Sequence, residues 1–524
     1  MTLFSGILLS IFVAILITEN YGYGYWMISR PIFAGPLIGL IMGDLQTGLQ
    51  VGASVELMFM GVLPIGGSVP PNAQIAGIIG TIYAIQAGSP ALGISLALPI
   101  GILAQFLIML AWNINIFLVH KADTAIKAGK TKTVEKLHLA GVGVFFIVFF
   151  VASFMAIQFG SEFVKQINDA LPVWVSGGLT IASGLLPAIG MAMLLKMMDF
   201  KKFWPFFLIG FVLSVYLKLD VLAVSLLGAG VAAGAGALRK GENQTAQNLT
   251  TEAVKNDQQL LNKKDLWRVF TRSFFSMATI NYERYISLGF NYAMIPVLQK
   301  LYQDEAEYQK ALQRHNEFFN CHPYTTNIVM GVSVALEEQK ALGKPITDET
   351  ISSTKTALMG PLSGIGDSVF KATFMTIFAA VGAGLALNGN ILGPIIFIVP
   401  NIFLNIATRY LGVFWGYKFG VKLIAKMKNS DLIKNFVQGA TIVGMMVTGS
   451  MVVNFVKIEL TAKWDNAGKE IVLQDLINQI FPGLLPLIIT LIFYWALMKN
   501  KKAIYWLMLA CFVIGLVGKL TGIL

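Results

Sequence analysis

The 524-residue chain combines 56% hydrophobic residues with only 13% charged ones and a mean hydropathy of +0.68. A water-soluble chain could carry these values only with large exposed apolar patches, so the composition predicts a polytopic membrane protein. The formal net charge of +11 does not indicate a nucleic-acid partner, because the basic residues crowd into short loops between apolar runs. The two cysteines, Cys321 and Cys511, are too far apart in sequence to support a disulfide framework or a zinc site.

The first part of the chain is a series of apolar stretches. The stretch at the N-terminus lacks the basic leading region and the cleavage site of a secretory signal, so we expect a retained membrane segment. Several stretches are shorter than the roughly 20 residues that cross a bilayer, and those that also contain glycine and proline favour re-entrant or broken helices. The loop 120–138 holds five lysines against two acids, which predicts a cytoplasmic location. The stretches are 3–18, 31–42, 51–65, 74–87, 92–119, 140–158, 171–195, 204–217 and 219–238.

The composition changes after residue 240. Residues 241–264 are polar and have no period, which predicts a linker or junction after a first membrane domain, 1–240. Residues 265–356 are polar and helical in pattern, and we expect a mostly aqueous region there; 357–524 form a second membrane bundle. The predicted fold is therefore an all-α polytopic membrane protein with broken or re-entrant helices. The apolar runs of the second bundle are 357–387, 390–407, 410–421, 434–456, 481–497 and 503–523.

A set of polar side chains begins at the last residue of the motif Gly35-Pro-Leu-Ile-Gly-Leu-Ile-Met-Gly-Asp44. A sugar is recognised by side chains that donate and accept hydrogen bonds within a mostly apolar pocket. An ionisable group at membrane depth persists mainly where it faces protein or water. This favours a functional position for Glu56, which lies within an apolar run. The alternative is that Asp44 caps a helix and that the glutamines line a loop. The candidate sugar ligands here are Asp44, Gln46, Gln50, Glu56, Asn72 and Gln74.

A second acidic motif is Gly360-Pro-Leu-Ser-Gly-Ile-Gly-Asp-Ser368, within an apolar run. We expect the small residues to form a turn that presents Asp367 and Ser368 at the mouth of a broken helix. Lys371 follows four residues after Asp367, so a helical segment would place the two charges together as an ion pair. The alternative is a helix N-cap with a purely structural ion pair.

A third motif contains both His315 and His322. Their spacing of seven, with a proline after the second, does not suit a metal site on a helix, and we predict no metal. Asn320 and His322 are candidates to reach a pocket or to dock a partner. The alternative is that they only fix the turn before Pro323.

These motifs resemble the membrane components of one sugar phosphotransferase family. Residues 1 to about 240 look like the enzyme IIC component, and about 258 to 524 like the enzyme IID component, of the mannose-type (mannose, fructose, sorbose) system. The first part carries Gly43-Asp44, Val55-Glu-Leu and Pro71-Asn-Ala. The second part carries Asn281-Tyr-Glu-Arg284, His315-Asn-Glu-Phe-Phe-Asn-Cys-His-Pro-Tyr324, Glu337-Glu-Gln339 and Gly364-Ile-Gly-Asp-Ser-Val-Phe370.

The resemblance implies group translocation in the bacterial cytoplasmic membrane. A hexose or hexosamine would bind between the two components, move inward and be phosphorylated by a cytoplasmic IIB subunit that is loaded from IIA. It further implies a trimer of IIC-IID units, some of which are bacteriocin targets, and no cofactor, catalytic residue or phosphoryl carrier in this chain. By position, the residues carried over as candidates near the sugar path are Asp44, Glu56, Asn72, Asn320, His322, Asp367 and Ser368.

The sequence departs from the family pattern in two ways. The two components normally occupy separate chains, so this chain is a natural or engineered fusion, or two subunits under continuous numbering. Asn72 stands where the family often has aspartate, and Cys321 where it often has threonine. An amide donates as well as accepts, so an amino sugar such as N-acetylgalactosamine is an alternative to mannose. Two other functions stay open: an ion-coupled secondary sugar transporter and a membrane receptor without transport.

Overall fold

The computed structural model describes residues 2–61, 70–170, 172–197, 200–219, 221–240, 260–420, 431–461, 463–466, 469–499 and 503–524. Most of the predicted linker and residues 62–69, which follow the first polar set, lie outside the described residues. The first half is a succession of helices, and their order follows the predicted apolar stretches. Helices α1 to α9 are Leu3–Tyr21, Pro31–Met42, Leu45–Phe59, Ala73–Ala87, Pro90–Lys127, Thr131–Ala170, Val173–Met197, Phe200–Leu217 and Val221–Lys240.

The second half is also helical, with one short exception. An antiparallel hairpin pairs Lys463–Asn466 (β1) with Lys469–Val472 (β2), and the all-α prediction did not include it. Helices α10 to α16 are Lys263–Ser273, Ser287–Leu301, Glu305–His315, Thr326–Ala341, Asp348–Gly366, Thr376–Leu387 and Leu392–Phe419. A π-helical segment, π1, is Asp367–Met375. Helices α17 to α20 are Asp431–Phe455, Leu473–Ile480, Leu484–Lys499 and Ala503–Thr521.

Several described helices confirm the prediction of a polytopic membrane protein. Six are long and apolar enough to cross a bilayer, and α18 with α19 forms a further candidate span bent by 81°. Helices α5 and α6, with 38 and 40 residues, are about 57 and 60 Å long at 1.5 Å per residue, so they extend beyond a hydrocarbon layer of about 30 Å. The six candidate spans are Leu3–Tyr21, Pro90–Lys127, Thr131–Gly160, Phe200–Leu217, Leu362–Leu387 and Leu392–Lys418.

Helices α2 and α3 form a tight hairpin whose glycines allow the two backbones to touch. A methyl group on Gly48 would lie 2.6 Å from the carbonyl oxygen of Gly35, and one on Gly52 would lie 2.5 Å from that of Pro31. The connecting Gly43 has φ +86°, a conformation that side chains disfavour. The glycines of the first motif thus pack two short helices together, in the way that small residues bring membrane helices close.

The acidic motif of the second half does not break its helix. Helix α14 ends at Gly366, and Asp367 continues with helical angles (φ −65°, ψ −40°) through π1 into α15. The expected turn before Asp367 is therefore wrong. The chain accommodates the motif by widening the helix rather than by interrupting it, and π-helical segments are frequent at functional sites.

The two halves pack against each other through the adjoining ends of α5 and α6. The predicted loop 120–138 is wrong in extent, because only 128–130 are non-helical there. Asp123 accepts hydrogen bonds from Arg284 Nη1 at 2.8 Å and from Asn316 Nδ2 at 2.7 Å. Arg272 Nη1 lies 2.5 Å from Glu135 Oε1. These contacts bring residues far apart in sequence together.

Candidate functional site

A cavity of about 180 Å³ lies between the two halves. That volume is more than ten times the roughly 10–15 Å³ that holds one water molecule, so several waters or a small polar solute fit. Both halves contribute to the wall. Its aromatic members are Tyr21, Tyr25, Trp112 and Tyr285, and its polar members include Asn20, Arg30, Asn72, Gln74, Asn320, His322, Ser363, Asp367 and Lys371.

Half of the predicted sugar ligands line this cavity, and they come from three separate motifs. The structure brings together Asn72, Gln74, Asn320, His322 and Asp367. The side chain of Ser368 lies outside the described residues. The remaining candidates of the first motif do not line the cavity, and their positions follow from the geometry of the α2–α3 hairpin.

Asp44, Gln46 and Gln50 lie at or near the tip of this hairpin. Asp44 caps α3: its carboxylate accepts hydrogen bonds from Thr47 N at 3.0 Å and Thr47 Oγ1 at 2.6 Å. Gln46 and Gln50 are exposed. Their expected place in a sugar pocket is not what the structure shows, because the close glycine packing turns the opposite face of α3 inward.

Glu56 lies one shell behind the cavity wall. Its side chain is fully buried, and both its oxygens accept hydrogen bonds from the guanidinium of Arg30, with Nε distances of 3.1 and 3.2 Å. Arg30 lines the cavity, so Glu56 holds that cation in place rather than facing a ligand. A buried charge pair with good geometry is strongly destabilised when one partner is removed.

Asp367 and Lys371 form an ion pair on the cavity wall. Lys371 Nζ lies 3.1 Å from Asp367 Oδ1, and the two side chains are 12% and 29% exposed. The predicted pair at a spacing of four is thus confirmed, although it lies on a π-helical segment. The partial exposure leaves carboxylate and ammonium surface for a ligand in the cavity.

His322 presents a hydrogen-bond donor with no protein partner among the described residues. Its Nδ1 accepts a hydrogen bond from the backbone N–H of Tyr324 at 3.2 Å, so the neutral ring carries its proton on Nε2. The buried Nε2 finds no partner in the described part of the chain. Burial lowers the pKa of His322 well below its usual range, and the charges of Lys371 and Arg409 act in the same direction.

Three of the amides on the cavity wall, those of the predicted ligands, have different roles. Asn72 caps α4 through Oδ1, which accepts from Ile75 N at 2.7 Å, and its Nδ2 donates to the Tyr21 hydroxyl at 3.0 Å. An aspartate could cap in the same way but could not donate to Tyr21. Among described residues, the side-chain amides of Gln74 and Asn320 have no hydrogen-bond partner, so they can serve a ligand.

Tyr25 reaches the cavity from a strained loop between α1 and α2. Tyr25 and Met27 have φ values of 60° and 66°, which non-glycine residues adopt rarely. Glu19 stabilises this loop by accepting hydrogen bonds from Trp26 N and Ser29. From the second half, Asn405 Nδ2 donates to the carbonyls of Gly24 and Tyr25 at 2.8 and 3.0 Å. Both halves therefore fix the ring that meets His322 edge-on.

Three residues of the cavity wall are not among the predicted site residues: Arg30, Tyr25 and Trp112. Arg30 had a usable signal, because a cation next to the apolar run that begins at Pro31 is costly in a membrane unless it is paired. The aromatic residues had no such signal, since this chain is rich in aromatic side chains throughout. Only the packing of the two halves selects those that face the cavity.

The signature residues His315 and Glu337 hold the second half together instead of lining the cavity. Glu337 accepts hydrogen bonds from His315 Nε2 at 2.7 Å and from Arg314 Nε at 2.6 Å. Burial opposes the charge on Glu337, but these hydrogen bonds hold its pKa at about 2. In the described part of the chain, no group of three His, Cys, Asp or Glu residues could hold a metal ion.

Membrane-spanning helices around a polar and aromatic internal cavity define the class as a multi-pass membrane transport protein. Residues 260–524 match the family described as PTS system mannose/fructose/sorbose family IID component, and 3–233 match the PTS system sorbose-specific IIC component. The chain therefore belongs to the mannose/fructose/sorbose family of phosphotransferase-system membrane components. It carries a IIC part and a IID part in one polypeptide, and such components are multi-pass proteins of the bacterial inner membrane.

Known relatives match each part separately. The mannose-specific EIID component of Escherichia coli K12 is 38% identical over 271 residues, covering 50% of this chain and 95% of the relative. The sorbose-specific EIIC component of Klebsiella pneumoniae is 35% identical over 201 residues, covering 38% and 76%. The N-acetylgalactosamine permease IIC component 1 of Escherichia coli K12 is 32% identical over 237 residues, covering 44% and 87%.

Proposed function

We propose that the cavity between the IIC and IID parts binds one neutral hexose or N-acetylhexosamine. From it the sugar passes inward to a cytoplasmic IIB subunit, which phosphorylates it. The observation that carries the proposal is the convergence of polar side chains from both parts on one cavity. Gln74 comes from the first part, and Asn320, His322 and Asp367 come from the second.

The chemistry of the wall suits sugar hydroxyls. Asp367 can accept from two hydroxyls, Lys371 and His322 Nε2–H can donate, and the amides of Gln74 and Asn320 can do both. The rings of Tyr25 and Trp112 offer apolar surface for the C–H faces of a pyranose.

The charge balance favours an uncharged solute. The cations Arg30 and Lys371 are matched by Glu56 and Asp367, and the lowered pKa of His322 keeps its ring neutral. A sugar acid or a free amino sugar would bring an unmatched charge into the cavity, which is costly away from water. Mannose, sorbose and N-acetylgalactosamine, which appear in the names of relatives, all satisfy this condition.

Uptake into proteoliposomes tests the proposal. The full chain is reconstituted with phosphoenolpyruvate and the soluble phosphocarriers including IIB, and labelled hexoses and N-acetylhexosamines are supplied. We expect uptake that requires phosphoenolpyruvate and survives a protonophore. Uptake that collapses with the protonophore and ignores phosphoenolpyruvate would establish the ion-coupled alternative and overturn the proposal.

A matched pair of variants locates the binding site. Gln74→Leu removes a cavity amide, whereas Gln46→Leu makes the same change at an exposed position on the α2–α3 hairpin. We expect sugar affinity to fall roughly tenfold, about 1.4 kcal/mol, only for Gln74→Leu. Equal affinities for the two variants would contradict the assignment of the cavity.

A further inference from the structure

A basic and aromatic groove lies on the outside of the IID part, away from the sugar cavity. It runs between α10 and the outer face of α16. Its walls are Lys263, Lys264, Trp267, Arg268, Tyr410 and Phe414. None of these residues lines the cavity, so the groove needs a separate explanation.

Helix α10 is amphipathic and firmly seated. Leu266, Val269 and Phe270 are buried in the core on one face. The opposite face exposes the three cations of the groove together with Trp267, which is 52% exposed. A capping box between Asn262 and Asp265 fixes the start of the helix. The exposed basic face is therefore held in a defined position against the bundle.

The cations of the groove lack protein counter-ions. Among described residues, no hydrogen bond or ion pair engages the side chains of Lys263, Lys264 or Arg268. The carboxylate of Asp265 attracts Arg268, but it already accepts from Lys300 Nζ at 2.6 Å and from Asn262 N at 2.9 Å. Three cations beside one engaged carboxylate leave the groove complementary to an anion.

Two observations favour a position of the groove at the cytoplasmic surface of the membrane. Tyr410 and Phe414 lie toward the C-terminal end of α16, which leads in sequence to Lys422, Lys426 and Lys428, a positive-inside pattern. At the other end of α10, Arg272 contacts Glu135, which belongs to the lysine-rich segment predicted to be cytoplasmic. We therefore expect the groove to open at the level of the inner-leaflet headgroups.

The outer face of α16 continues the groove into the lipid layer. Phe403 is 68% exposed and Val399 is 58% exposed, each on the part of α16 that lies deeper in the predicted span. Exposed aromatic side chains such as Trp267 and Tyr410 are typical of the boundary between headgroups and acyl chains. Basic side chains, then Trp267 and Tyr410, and then exposed apolar side chains of α16 follow one another along this surface.

We propose that this groove is a binding site for an anionic phospholipid of the cytoplasmic leaflet. The phosphate lies among Lys263, Lys264 and Arg268, and the ring of Trp267 packs at headgroup level. The acyl chains follow the exposed apolar face of α16. The recognition combines the attraction of basic residues to anionic lipid with the insertion of an amphipathic helix at the interface.

Native mass spectrometry of the full chain in detergent tests this site. Phosphatidylglycerol is titrated against phosphatidylcholine, and the triple variant K263Q/K264Q/R268Q is compared with K121Q/K127Q/K132Q. The control removes three exposed lysines from the adjoining ends of α5 and α6. We expect phosphatidylglycerol binding to weaken roughly tenfold or more in the first variant alone. Equal binding by the two variants overturns the proposal.

A second arm separates a lipid from a soluble phosphate compound. Inorganic phosphate and glycerol 3-phosphate are added at millimolar concentrations to the protein carrying phosphatidylglycerol. We expect the lipid to remain bound, because its chains also contact α16. Displacement by either soluble anion at these concentrations shows a soluble-anion site and overturns the lipid assignment.

Trp267→Ala keeps the test decisive if the triple variant does not fold. This variant leaves all three cations in place, and we expect severalfold weaker binding of phosphatidylglycerol with an unchanged melting temperature. Unchanged lipid binding contradicts the proposed geometry. If the cation variant instead retains lipid but loses binding to an acidic cytoplasmic protein, the groove is a protein-docking surface and the proposal is wrong.

Discussion

Asp44 and Asp367 each follow a glycine, yet the two regions treat the carboxylate in opposite ways. At the tip of the α2–α3 hairpin, Gly43 adopts φ +86°, the helix ends, and Asp44 caps the next helix through Thr47. At the start of π1, the chain stays helical through Gly366, and Asp367 enters the cavity beside Lys371. Where the glycine turns the chain, the following aspartate caps the next helix. Where the glycine only allows close packing, the carboxylate of the following aspartate stays available to a ligand.

The largest effect is expected at Glu56, the buried carboxylate of the same hairpin. Glu56→Gln leaves the Arg30 charge buried without a counter-ion, which should lower the free energy of unfolding by about 3–5 kcal/mol. Thermal unfolding in detergent measures this, with Gln50→Ala on the exposed face of α3 as control. The double variant Arg30→Gln/Glu56→Gln should recover part of the loss. A melting temperature like that of the unsubstituted protein would contradict the buried pair.

The next effect distinguishes the two aspartates directly. Asp367→Asn removes a charged acceptor from the cavity wall and should reduce phosphoenolpyruvate-dependent uptake about 100-fold, equivalent to about 2.7 kcal/mol. Asp44→Asn keeps an acceptor for Thr47 and should leave uptake within about twofold. Proteoliposome uptake, normalised to folded protein, measures both. Equal uptake by the two variants would contradict the different roles assigned to Asp44 and Asp367.

A smaller effect tests the close approach at Gly366. A methyl group there would lie 2.3 Å from His322 Cβ, so Gly366→Ala must displace the histidine. We expect overpacking of about 1–3 kcal/mol and a loss of sugar affinity of similar size. Gly364→Ala is the matched control, because a methyl group at Gly364 has no neighbour within 4 Å. Sugar titration followed by tryptophan fluorescence compares them, and equal affinities would rule out this role of Gly366.

Loss of the helix cap at Asp44 should lower stability modestly and leave sugar binding unchanged. Asp44→Ala removes the acceptor for the Thr47 N–H and should lower the free energy of unfolding by about 1 kcal/mol. Sugar affinity should not change, because Asp44 does not line the cavity. Thermal unfolding and sugar titration on the same preparation check both statements, and a loss of affinity would return Asp44 to the site.

The smallest expected effect is a flat pH response. Because the pKa of His322 lies well below its usual range, its ring stays neutral as the pH falls from 8 through about 6.5. Sugar affinity should therefore not change over that range. A drop centred near pH 6.5 in the unsubstituted protein, absent in His322→Gln, would show that the ring gains a proton there.

The sequence supports the helices and part of the site for identifiable reasons. Long apolar runs predict spans because lipid leaves the backbone few other choices, and a spacing of four predicted the pair of Asp367 and Lys371. The exposure of Gln46 and Gln50 could not be predicted, because it depends on which face of α3 meets α2. Residues 392–407 and 410–419, which belong to two separate predicted apolar runs, form one helix, α16, since Thr408 and Arg409 are accommodated within it.

The cavity itself could not be predicted from local sequence. Its lining residues lie between 20 and 112 in one part and between 277 and 375 in the other, and only docking of the two parts brings them together. The loop that carries Tyr25 adds a second difficulty, because its positive φ values are accompanied by hydrogen bonds to Glu19 nearby and to Asn405 in the other part of the chain. Such long-range contacts leave no periodic signal in the chain.

The shared wall has a consequence for how sugar preference can evolve. Recombination that replaced only the IIC part or only the IID part would pair cavity walls selected for different solutes. His322 would then face an α1–α2 loop, the one that carries Tyr25 here, selected for another solute. With both surfaces encoded in one polypeptide, they are copied and inherited as a unit. Compensating changes on the two sides can then accumulate in a single lineage, without a mismatched subunit competing for the same place.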